Sequence, residues 1–348
     1  MLWEKVRDLP FTVGDVTMEV IVLPVSPEFE RRTTVVHLRQ EMGARSEYGD
    51  GLGEDVTYDA AEHEPHRFPW VDLRGEWTLG SLAARLDEVD LFPNGDPPRE
   101  VYRAYRRWAF ESAALDYALK WNGTNLAEVL EREPQPVRFV SSTRTPVGPW
   151  LELYPELRFK LDPTPDWTDG YVAELAERGV VDVLDLKGAY HGTPVDNPPD
   201  PELYRRVAEA FPDAWIEDPA LTPDTDPVLE PHRGRITWDA PIHSWADVEA
   251  LPFRPRCLNC KPSRFGTLER LFEFYERCDE EGIRLYGGGQ FELGVGRGQI
   301  QVLASLFHPD APNDVAPGGY NALEPRPGLE TSPLPPNLEP FGFRRGLG

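Results

Sequence analysis

Lysine is rare in this chain, and three of its lysines stand where they could transfer protons. Of the 36 lysine and arginine residues, only five are lysines. Lys160, Lys187 and Lys261 each lie at the end of an apolar run that is typical of a β-strand. A lysine removed from water can lose its proton near neutral pH and act as a general base, whereas arginine effectively never deprotonates. The placement therefore favours proton transfer by lysine; the alternative is that so few lysines fell at strand ends by chance.

Acidic residues lie between two of these lysines in a regular order. Asp185, Glu217 and Asp239 each follow a short apolar run and precede a polar or proline-containing turn. From Lys160 through the acids to Lys261 the intervals are roughly 20 to 30 residues, about the length of one strand, loop and helix. This rhythm predicts a barrel of parallel strands, in which the C-terminal strand ends meet at one mouth. We therefore expect these five charged side chains to surround one substrate.

Two structural units are predicted to position the site. The first, residues 1–133, is predicted to be an α+β unit with antiparallel strands at 18–25 and 33–40 and helices at 81–91 and 100–121. Between these strands and helices lies a glycine-rich segment, Gly51 to Glu54. It is interpreted either as a loop over the substrate or as an ordinary hairpin turn.

The second unit, residues 134–321, alternates between predicted strands and helices and forms the barrel. Its predicted strands are 137–142, 157–161, 181–185, 214–216, 235–238, 257–260 and 283–286, and its predicted helices are 169–177, 201–211, 244–251, 267–281 and 298–307. The spacing indicates seven or eight strands. Residues 322–348 are proline-rich and irregular, so we expect a surface tail that packs on the first unit.

Composition excludes several classes of function. With a formal net charge of −24 and a pI near 4.7, the chain would repel nucleic acids and anionic membrane surfaces. No apolar stretch approaches the roughly 20 residues that span a bilayer. The N-terminus also lacks a basic segment followed by an apolar run, so a cytoplasmic protein is predicted. A hydrophobic content of 40% is enough for a sizeable core.

The three cysteines predict reduced thiols. Cys257, Cys260 and Cys278 are too few, and odd in number, for a disulfide framework. Cys257 and Cys260 have the spacing of a zinc or redox pair, but no second pair follows at a matching distance. We therefore interpret this segment as a strand that leads into Lys261.

The order of these residues resembles the enolase superfamily, specifically its mandelate racemase and muconate lactonizing enzyme subgroup, over nearly the whole chain. Members have an α+β capping domain and a modified (β/α)7β TIM-type barrel. They carry Lys-x-Lys on the second barrel strand, Asp, Glu and Asp on the third to fifth, and Lys on the sixth. The matching residues here are Arg158 and Lys160, then Asp185, Glu217 and Asp239, then Lys261. The run from Gly287 to Glu292 also resembles the family's glycine-rich segment after the seventh strand.

The resemblance implies a metal-assisted reaction on a small carboxylate substrate. Asp185, Glu217 and Asp239 are then the ligands of Mg²⁺, which takes hard oxygen donors and keeps positions open for a substrate carboxylate. A base removes the proton α to that carboxylate, and the cation stabilises the resulting enediolate. Lys160 and Lys261 are expected to be the acid and base. Arg158 and the metal are expected to lower the pKa of Lys160 by charge repulsion.

Several reactions fit this mechanism. The resemblance includes cycloisomerases, o-succinylbenzoate synthases, and acylamino acid or dipeptide epimerases, and it implies a homo-oligomer. A mandelate racemase or sugar-acid dehydratase is less favoured, because residues 283–292 contain no histidine to serve as a base; His191 and His243 lie in other segments. The alternative from a different class of function is a non-catalytic relative of these enzymes, which binds a carboxylate metabolite or a partner protein.

Three departures or additions accompany the pattern. Arg158 stands where the first lysine of the pair is usual, so it keeps the charge but cannot transfer a proton. Lys187 follows Asp185 where an asparagine is common in the family. It is expected to hold a substrate anion, to pair with Glu217 or Asp218, or to weaken metal binding. Glu292 is expected either to support the site by hydrogen bonding or to pair with Arg297.

Overall fold

The computed structural model describes residues 1–26, 29–40, 49–68, 71–144, 146–190 and 196–346. The part up to residue 130 is called the N-terminal unit below. Its described residues form the strands β1 Pro10–Val13, β2 Asp15–Ser26, β3 Phe29–Arg39, β4 Gly51–Asp55 and β5 Gly75–Thr78. Its helices are α1 Leu2–Val6, α2 Leu79–Asp87, α3 Val101–Trp121 and α4 Leu126–Leu130, with a 3-10 turn at Ala60–His63. Strands β2, β3 and β4 form an antiparallel sheet in that order, and β1 pairs with β5.

Helix α3 lies at the centre of this unit. It begins after Glu100 and ends at Trp121, as the sequence predicts. Asn122 and then Gly123, whose φ is +64°, follow it and stop the helix. Its residues from Tyr105 to Lys120 are all buried, because β4 packs on one side and the barrel packs on another. The helix therefore joins the sheet to the barrel.

The segment from Gly51 to Glu54 is neither a loop over the substrate nor a turn, so both interpretations from the sequence are wrong. It lies in strand β4, which packs against α3. A Cβ atom on Gly53 would lie 2.0 Å from the carbonyl oxygen of Ala109, and one on Gly51 would lie 2.2 Å from Cβ of Tyr117. These glycines let the strand approach the helix backbone.

Gly53→Ala is accordingly expected to lower the free energy of unfolding by about 3 kcal/mol, at the upper end of the range for overpacked cores. Two of the three nearest atoms, Ala109 O at 2.0 Å and Ala113 N at 2.6 Å, belong to the backbone of α3 and cannot rotate away. Urea denaturation measures the change. Gly170→Ala, in the helix Asp169–Arg178, is the matched control, because its Cβ would meet only Thr168 Oγ1 at 4.0 Å. Equal stability of the two variants would contradict the close packing of β4 on α3.

The remainder of the chain alternates between strands and helices. The strands are β6 Ser141–Thr143, β7 Phe159–Leu161, β8 Val181–Asp185, β9 Trp215–Glu217, β10 Ile236–Thr237, β11 Cys257–Cys260 and β12 Arg284–Gly287. The helices are α5 Gly148–Leu153, α6 Asp169–Arg178, α7 Pro201–Ala210, α8 Asp226–Leu229, α9 Trp245–Glu249, α10 Pro262–Phe265, α11 Leu268–Glu280 and α12 Val295–Phe307, with a 3-10 turn at Glu230–Arg235. Within the described ranges, no helix combines the length and apolar character needed to cross a membrane.

Helix α6 shows how local sequence fixes these boundaries. The side chain of Thr168 accepts a hydrogen bond from the backbone of Tyr171 at 3.2 Å and caps the first turn. Gly179, with φ of +63°, ends the helix. The chain then enters β8, whose Val181, Val183 and Leu184 are buried, as expected for a parallel strand covered on both faces.

The parallel strands close into a ring. Five of them lie in the order β6-β7-β8-β9-β10, and β11 pairs with β12. The backbone N–H of Asn259 donates to the carbonyl of Trp238 at 3.0 Å and joins β11 to the end of β10. On the other side, Asp314 N donates to Gly287 O at 2.8 Å, and Val140 N donates to Asn313 O at 2.8 Å. Residues 313–314 thus serve as an eighth strand, and the predicted (β/α)7β barrel is confirmed.

One buried amide holds this closure together. Asn313 Oδ1 accepts from Gly287 N at 2.6 Å and lies 2.7 Å from His308 Nδ1, while its Nδ2 donates to Arg138 O at 2.9 Å. Since Asn313 Oδ1 can only accept, Nδ1 of His308 carries the proton. Strand β12, the end of α12 and the first barrel segment therefore meet at one side chain.

His308 makes stability depend on pH. Burial disfavours its charged ring and lowers its pKa to about 4, although the hydrogen bond with Asn313 opposes the shift. Below about pH 6.5 the unfolded histidine gains a proton that the folded one does not, so the free energy of unfolding falls by about 3 kcal/mol between pH 6.5 and 4. Urea denaturation across this range should show a shallower decline for His308→Gln than for the wild type. If the free energy of unfolding fell equally with pH in both proteins, His308 would not be the source of this pH dependence.

The C-terminal residues pack on both units. Gly342 N donates to Thr124 O at 2.8 Å, and Phe343 N donates to Asp116 Oδ1 at 2.8 Å, both in the N-terminal unit. Leu334 N donates to Val137 O at 2.8 Å in the barrel. Most of the buried apolar side chains of the two units form a single cluster.

Candidate active site at the barrel mouth

The strand ends bring the predicted lysines and acids to the same end of the barrel. Lys160 lies in β7, Asp185 and Glu217 are the last residues of β8 and β9, and Asp239 and Lys261 follow β10 and β11. Asp185 and Glu217 are direct partners in the parallel ladder. All five side chains are buried, with Lys261 the most exposed at 7%. Barrel geometry therefore concentrates these charges in a site that excludes bulk water.

Each lysine contacts acids at hydrogen-bonding distance. Lys160 Nζ lies 2.5 Å from Glu217 Oε1 and 3.2 Å from Asp185 Oδ2. Lys261 Nζ lies 2.8 Å from Asp239 Oδ2. Burial alone would disfavour the charged amine of Lys160, but attraction to Glu217 and Asp185 outweighs it and raises the pKa of Lys160 well above its usual value.

The prediction that Arg158 lowers the pKa of Lys160 is wrong. The β7–β8 ladder shifts register between Phe159 and Lys160, and the residue left unpaired is in β8. The guanidinium of Arg158 instead bonds to Asp182, with Nε at 3.1 Å from Oδ1. Asp182 is the residue that the register shift passes over. Arg158 therefore supports the outside of the barrel wall.

The acidic cluster contains one member that the sequence analysis missed. Carboxylate oxygens of Asp185, Glu217 and Asp218 lie within 4.8 Å of one another. Asp218 has φ of +48°, a conformation that its position after β9 did not indicate. Its Oδ1 and Oδ2 each accept a backbone hydrogen bond at 2.9 Å, from Asp239 N and Ala240 N. Both oxygens of Asp218 are therefore engaged in positioning the next strand end.

Asp239 offers an oxygen that Asp218 does not. Its Oδ1 is buried and has no hydrogen-bond partner among the described residues. A buried carboxylate oxygen without a partner is costly, and a hard divalent cation would satisfy it. Burial and mutual repulsion also raise the pKa values of Glu217 and Asp218. The cluster of Asp185, Glu217 and Asp218 is therefore one that could hold a metal ion, and the unpartnered Oδ1 of Asp239 is a further candidate ligand atom.

Uncharged and cationic partners orient these acids. Asn259 Nδ2 donates to Glu217 Oε2 at 3.2 Å, and the hydroxyl of Tyr286 donates to the same oxygen. Asn259 and Tyr286 are paired in the β11–β12 ladder, so the alternation of those strands could have indicated them.

Asp239 has two further partners at its other oxygen. Tyr190 Oη donates to Oδ2 at 2.8 Å, and Arg264 Nη2 donates to Oδ2 at 3.2 Å. Tyr190 lies in a loop after β8, and Arg264 lies in the short helix α10. No periodic pattern marks either residue in the sequence. Together with Lys261, they hold Asp239 in one orientation.

Lys187 pairs with other acids than the two named from the sequence. Its Nζ contacts Asp185 Oδ2 and lies 3.7 Å from Asp162 Oδ1, so pairing with Glu217 or Asp218 is not what the structure shows. Its φ is +56°, a left-handed conformation that is uncommon for lysine. The backbone thus turns this side chain back onto the acid two residues earlier.

The remaining sequence candidates lie around the cluster. Glu292 Oε2 is 3.2 Å from Arg297 Nη2, and its Oε1 accepts from Gln290 N at 2.6 Å. His243 Nδ1 lies 3.1 Å from Pro241 O, in a loop that borders a different cavity. His191 lies outside the described residues. The free cysteines are buried, and within the described ranges no metal-binding group includes them.

A cavity of about 310 Å³ gives access to the lysines. Lys160, Lys187 and Lys261 line it, together with Tyr58 from the N-terminal unit and Phe291 from the glycine-rich segment. The volume suits a small organic molecule, at the lower end of the usual range for ligand sites. Three ammonium groups facing one cavity suit an anionic ligand.

The chain matches one family model in two parts. The N-terminal domain of the family described as a domain of unknown function (DUF8230) matches residues 4–129, and its C-terminal domain matches residues 133–322. A curated o-succinylbenzoate synthase from Bacillus subtilis (strain 168) is 34% identical over 61 residues. That match spans 18% of this chain and only 16% of that protein.

Solved structures with a similar fold cover most of the chain. An enolase-superfamily member from Listeria innocua is 21% identical, with a TM-score of 0.59 over 88% of this chain and 85% of its own. A dipeptide epimerase from Methylococcus capsulatus, complexed with Mg ion, is 19% identical, with a TM-score of 0.59 over 91% and 89%. Muconate lactonizing enzyme from Pseudomonas putida is 17% identical, with a TM-score of 0.59 over 90% and 89%. These likenesses show the fold.

Proposed function

Because this chain belongs to the DUF8230 family and has the fold of the enolase superfamily, we propose that it is an Mg²⁺-dependent lyase or isomerase that removes the proton α to a substrate carboxylate. The observation that carries the proposal is the pairing of two buried lysines with one cluster of acids at the barrel mouth. Lys160 contacts Glu217 and Asp185, while Lys261 contacts Asp239. A small carboxylate is the proposed substrate.

The proposed chemistry assigns a role to each group. Mg²⁺, held by Asp185, Glu217 and Asp239, would stabilise the negative charge of the enediolate. One lysine, as the neutral amine, accepts the α-proton on Nζ, and the other donates a proton to the product or to its leaving group. For Lys160 to be the neutral one, Mg²⁺ would have to take over Glu217 and Asp185, whose attraction otherwise raises its pKa. Burial of the cluster excludes water that would compete for that proton. Cycloisomerisation, elimination of the o-succinylbenzoate synthase type and epimerisation all share this first step.

Solvent exchange tests the first step without knowledge of the product. The protein is incubated in D₂O with Mg²⁺ and N-acyl amino acids, dipeptides or the o-succinylbenzoate precursor, and mass spectrometry follows deuterium at the α-carbon. We expect incorporation that chelation by EDTA abolishes. The proposal would be wrong if no compound exchanged its α-proton and calorimetry detected no binding of Mg²⁺.

The contact between Lys187 and Asp185 favours a second candidate, a carboxylate-binding protein without catalysis. An ammonium group on a proposed ligand competes with a divalent cation for the same oxygen. Carboxylate binding that is unchanged by Mg²⁺ and is accompanied by no proton exchange would support this candidate.

A further inference from the structure

Phe291 has a backbone conformation that its side chain disfavours. Its φ is +58°, in the left-handed region that glycine and asparagine accept most readily. Three glycines, Gly287 to Gly289, precede it, yet the left-handed position itself carries a bulky ring. Such strain persists only where the surroundings impose it, and it often marks a functional position.

The N-terminal unit imposes this conformation through a buried arginine. Arg31 of β3 is fully buried, and its Nε donates to Phe291 O at 3.2 Å. Its Nη2 donates to Gln290 O at 2.9 Å and to Val56 O at 2.8 Å. The carbonyl groups on both sides of the Phe291 nitrogen are thus fixed from the opposite unit.

A buried acid fixes the residues that follow. Glu54 of β4 accepts backbone hydrogen bonds from Leu293 N at 2.7 Å, from Gly294 N at 3.0 Å and from Gly296 N at 2.7 Å. Segment 290–296 is therefore held to the N-terminal unit at both ends. Arg31 and Glu54 together leave Phe291 little freedom to relax its φ.

Phe291 borders the cavity that the three lysines line. Tyr58 borders the same cavity, and its ring lies 4.6 Å from the guanidinium carbon of Arg31. Tyr58 is 42% exposed, whereas Lys160 is 1% exposed, so the aromatic wall is nearer to solvent than the charged end. The aromatic part of the wall therefore lies nearer to solvent than Lys160, beside the exposed Leu323 and the ion-paired Arg144.

The other cations on the cavity wall are already paired. Arg144 Nε lies 2.8 Å from Asp162 Oδ2, and Arg297 Nη2 lies 3.2 Å from Glu292 Oε2. Among the described residues, the two arginines that line this cavity are ion-paired, as the three lysines are, but only the lysines contact the acids proposed as metal ligands. An apolar group fits the outer part better than a charged one.

We propose that Phe291 determines specificity, and that the substrate is a carboxylate whose other end is an apolar aryl group lying against Phe291 and Tyr58. The inference rests on the proposed function, because it places the carboxylate at the lysines. The strained backbone of Phe291 lowers stability, and it is retained because the ring is needed for binding at that position. Such a loss of stability is common at functional sites.

Two probes and one variant test the inference. Dissociation constants for 3-phenylpropanoate and propanoate are measured by NMR titration with Mg²⁺ present. We expect the wild type to bind the aryl compound at least about tenfold more tightly, since the ring buries apolar area. In Phe291→Asn this preference should fall to about threefold or less, while the melting temperature stays constant or rises because asparagine accepts a positive φ.

Matched variants separate specificity from strain. Glu131 also has a positive φ, +55°, but its side chain is exposed at the end of α4, so Glu131→Asn should relieve strain without changing the preference. Phe291→Leu keeps the strain and the apolar character but removes the ring, and it should give an intermediate preference. If Phe291→Asn does not fold, the aryl preference of Phe291→Leu is compared with that of the wild type instead.

Distinct results overturn the inference and the proposed function. An aryl preference that is absent from the wild type, or that survives in both Phe291→Asn and Phe291→Leu, would overturn the inference even if the protein catalyses α-proton exchange. Loss of the preference in these variants, combined with no exchange in the wild type, would uphold the binding role of Phe291 and reject the catalytic proposal.

Discussion

Replacing either Lys160 or Lys261 with methionine is expected to lower the rate of α-proton exchange by about 10³-fold, within the range for loss of a general acid or base. Methionine keeps an unbranched apolar stem of similar length but removes the atom that carries the proton. Both lysines border the same cavity, and each contacts different acids of the cluster. Mass spectrometry of deuterium incorporation, normalised to folded protein, measures the effect.

Lys120→Met is the matched control. Lys120 is also buried and has an acidic partner, Asp116 at 3.3 Å, but it lies on α3 in the N-terminal unit. Its replacement should reduce stability and leave exchange per folded molecule unchanged. If exchange persisted in both Lys160→Met and Lys261→Met, proton transfer by these lysines would be excluded.

Asp239→Asn is expected to weaken Mg²⁺ binding by about 10³-fold, whereas Asp218→Asn should weaken it by only about tenfold, the lower end of the range for residues that orient metal ligands. The reason is the different use of their oxygens. Both oxygens of Asp218 accept backbone hydrogen bonds, while Oδ1 of Asp239 has no partner among the described residues. Isothermal titration calorimetry with MgCl₂ compares the two variants.

Reversal of that order would make Asp218 the ligand and Asp239 the residue that orients it. Asp247→Asn serves as a control for the loss of one negative charge, because Asp247 bonds to His243 N and Ser244 Oγ away from the cluster. It should leave the Mg²⁺ affinity within about twofold of the wild-type value, as expected where salt screens distant charges.

Much of the barrel was predictable because its strands are short, apolar and locally distinct. The predicted strands 181–185 and 257–260 coincide with β8 and β11 residue for residue. The acids and lysines then follow from position alone, since residues at successive C-terminal strand ends of a parallel barrel must converge. The sequence therefore predicted that Lys160, Asp185, Glu217, Asp239 and Lys261 meet, although it missed Asp218.

Other features depend on contacts between distant segments and left no local signal. The eighth strand consists of residues 313–314, which pair through single bridges and are not flanked by a long apolar run. Arg158 bonds to Asp182, the residue left unpaired where the β7–β8 ladder shifts register, and no local pattern indicated that shift. The glycines of β4 owe their role to α3, some 60 residues further along the chain, so their context resembled a turn.

The seam formed by Arg31 and Glu54 has a consequence for how substrate choice can change. Both side chains reach across from the N-terminal unit to segment 290–296, and both are fully buried. A rigid-body rotation of one unit would leave the buried guanidinium of Arg31 and the buried carboxylate of Glu54 without their hydrogen-bond partners at the same time. The seam therefore cannot act as a hinge. Selection for a new substrate would therefore reshape the cavity through individual wall residues, and not through the angle between the units.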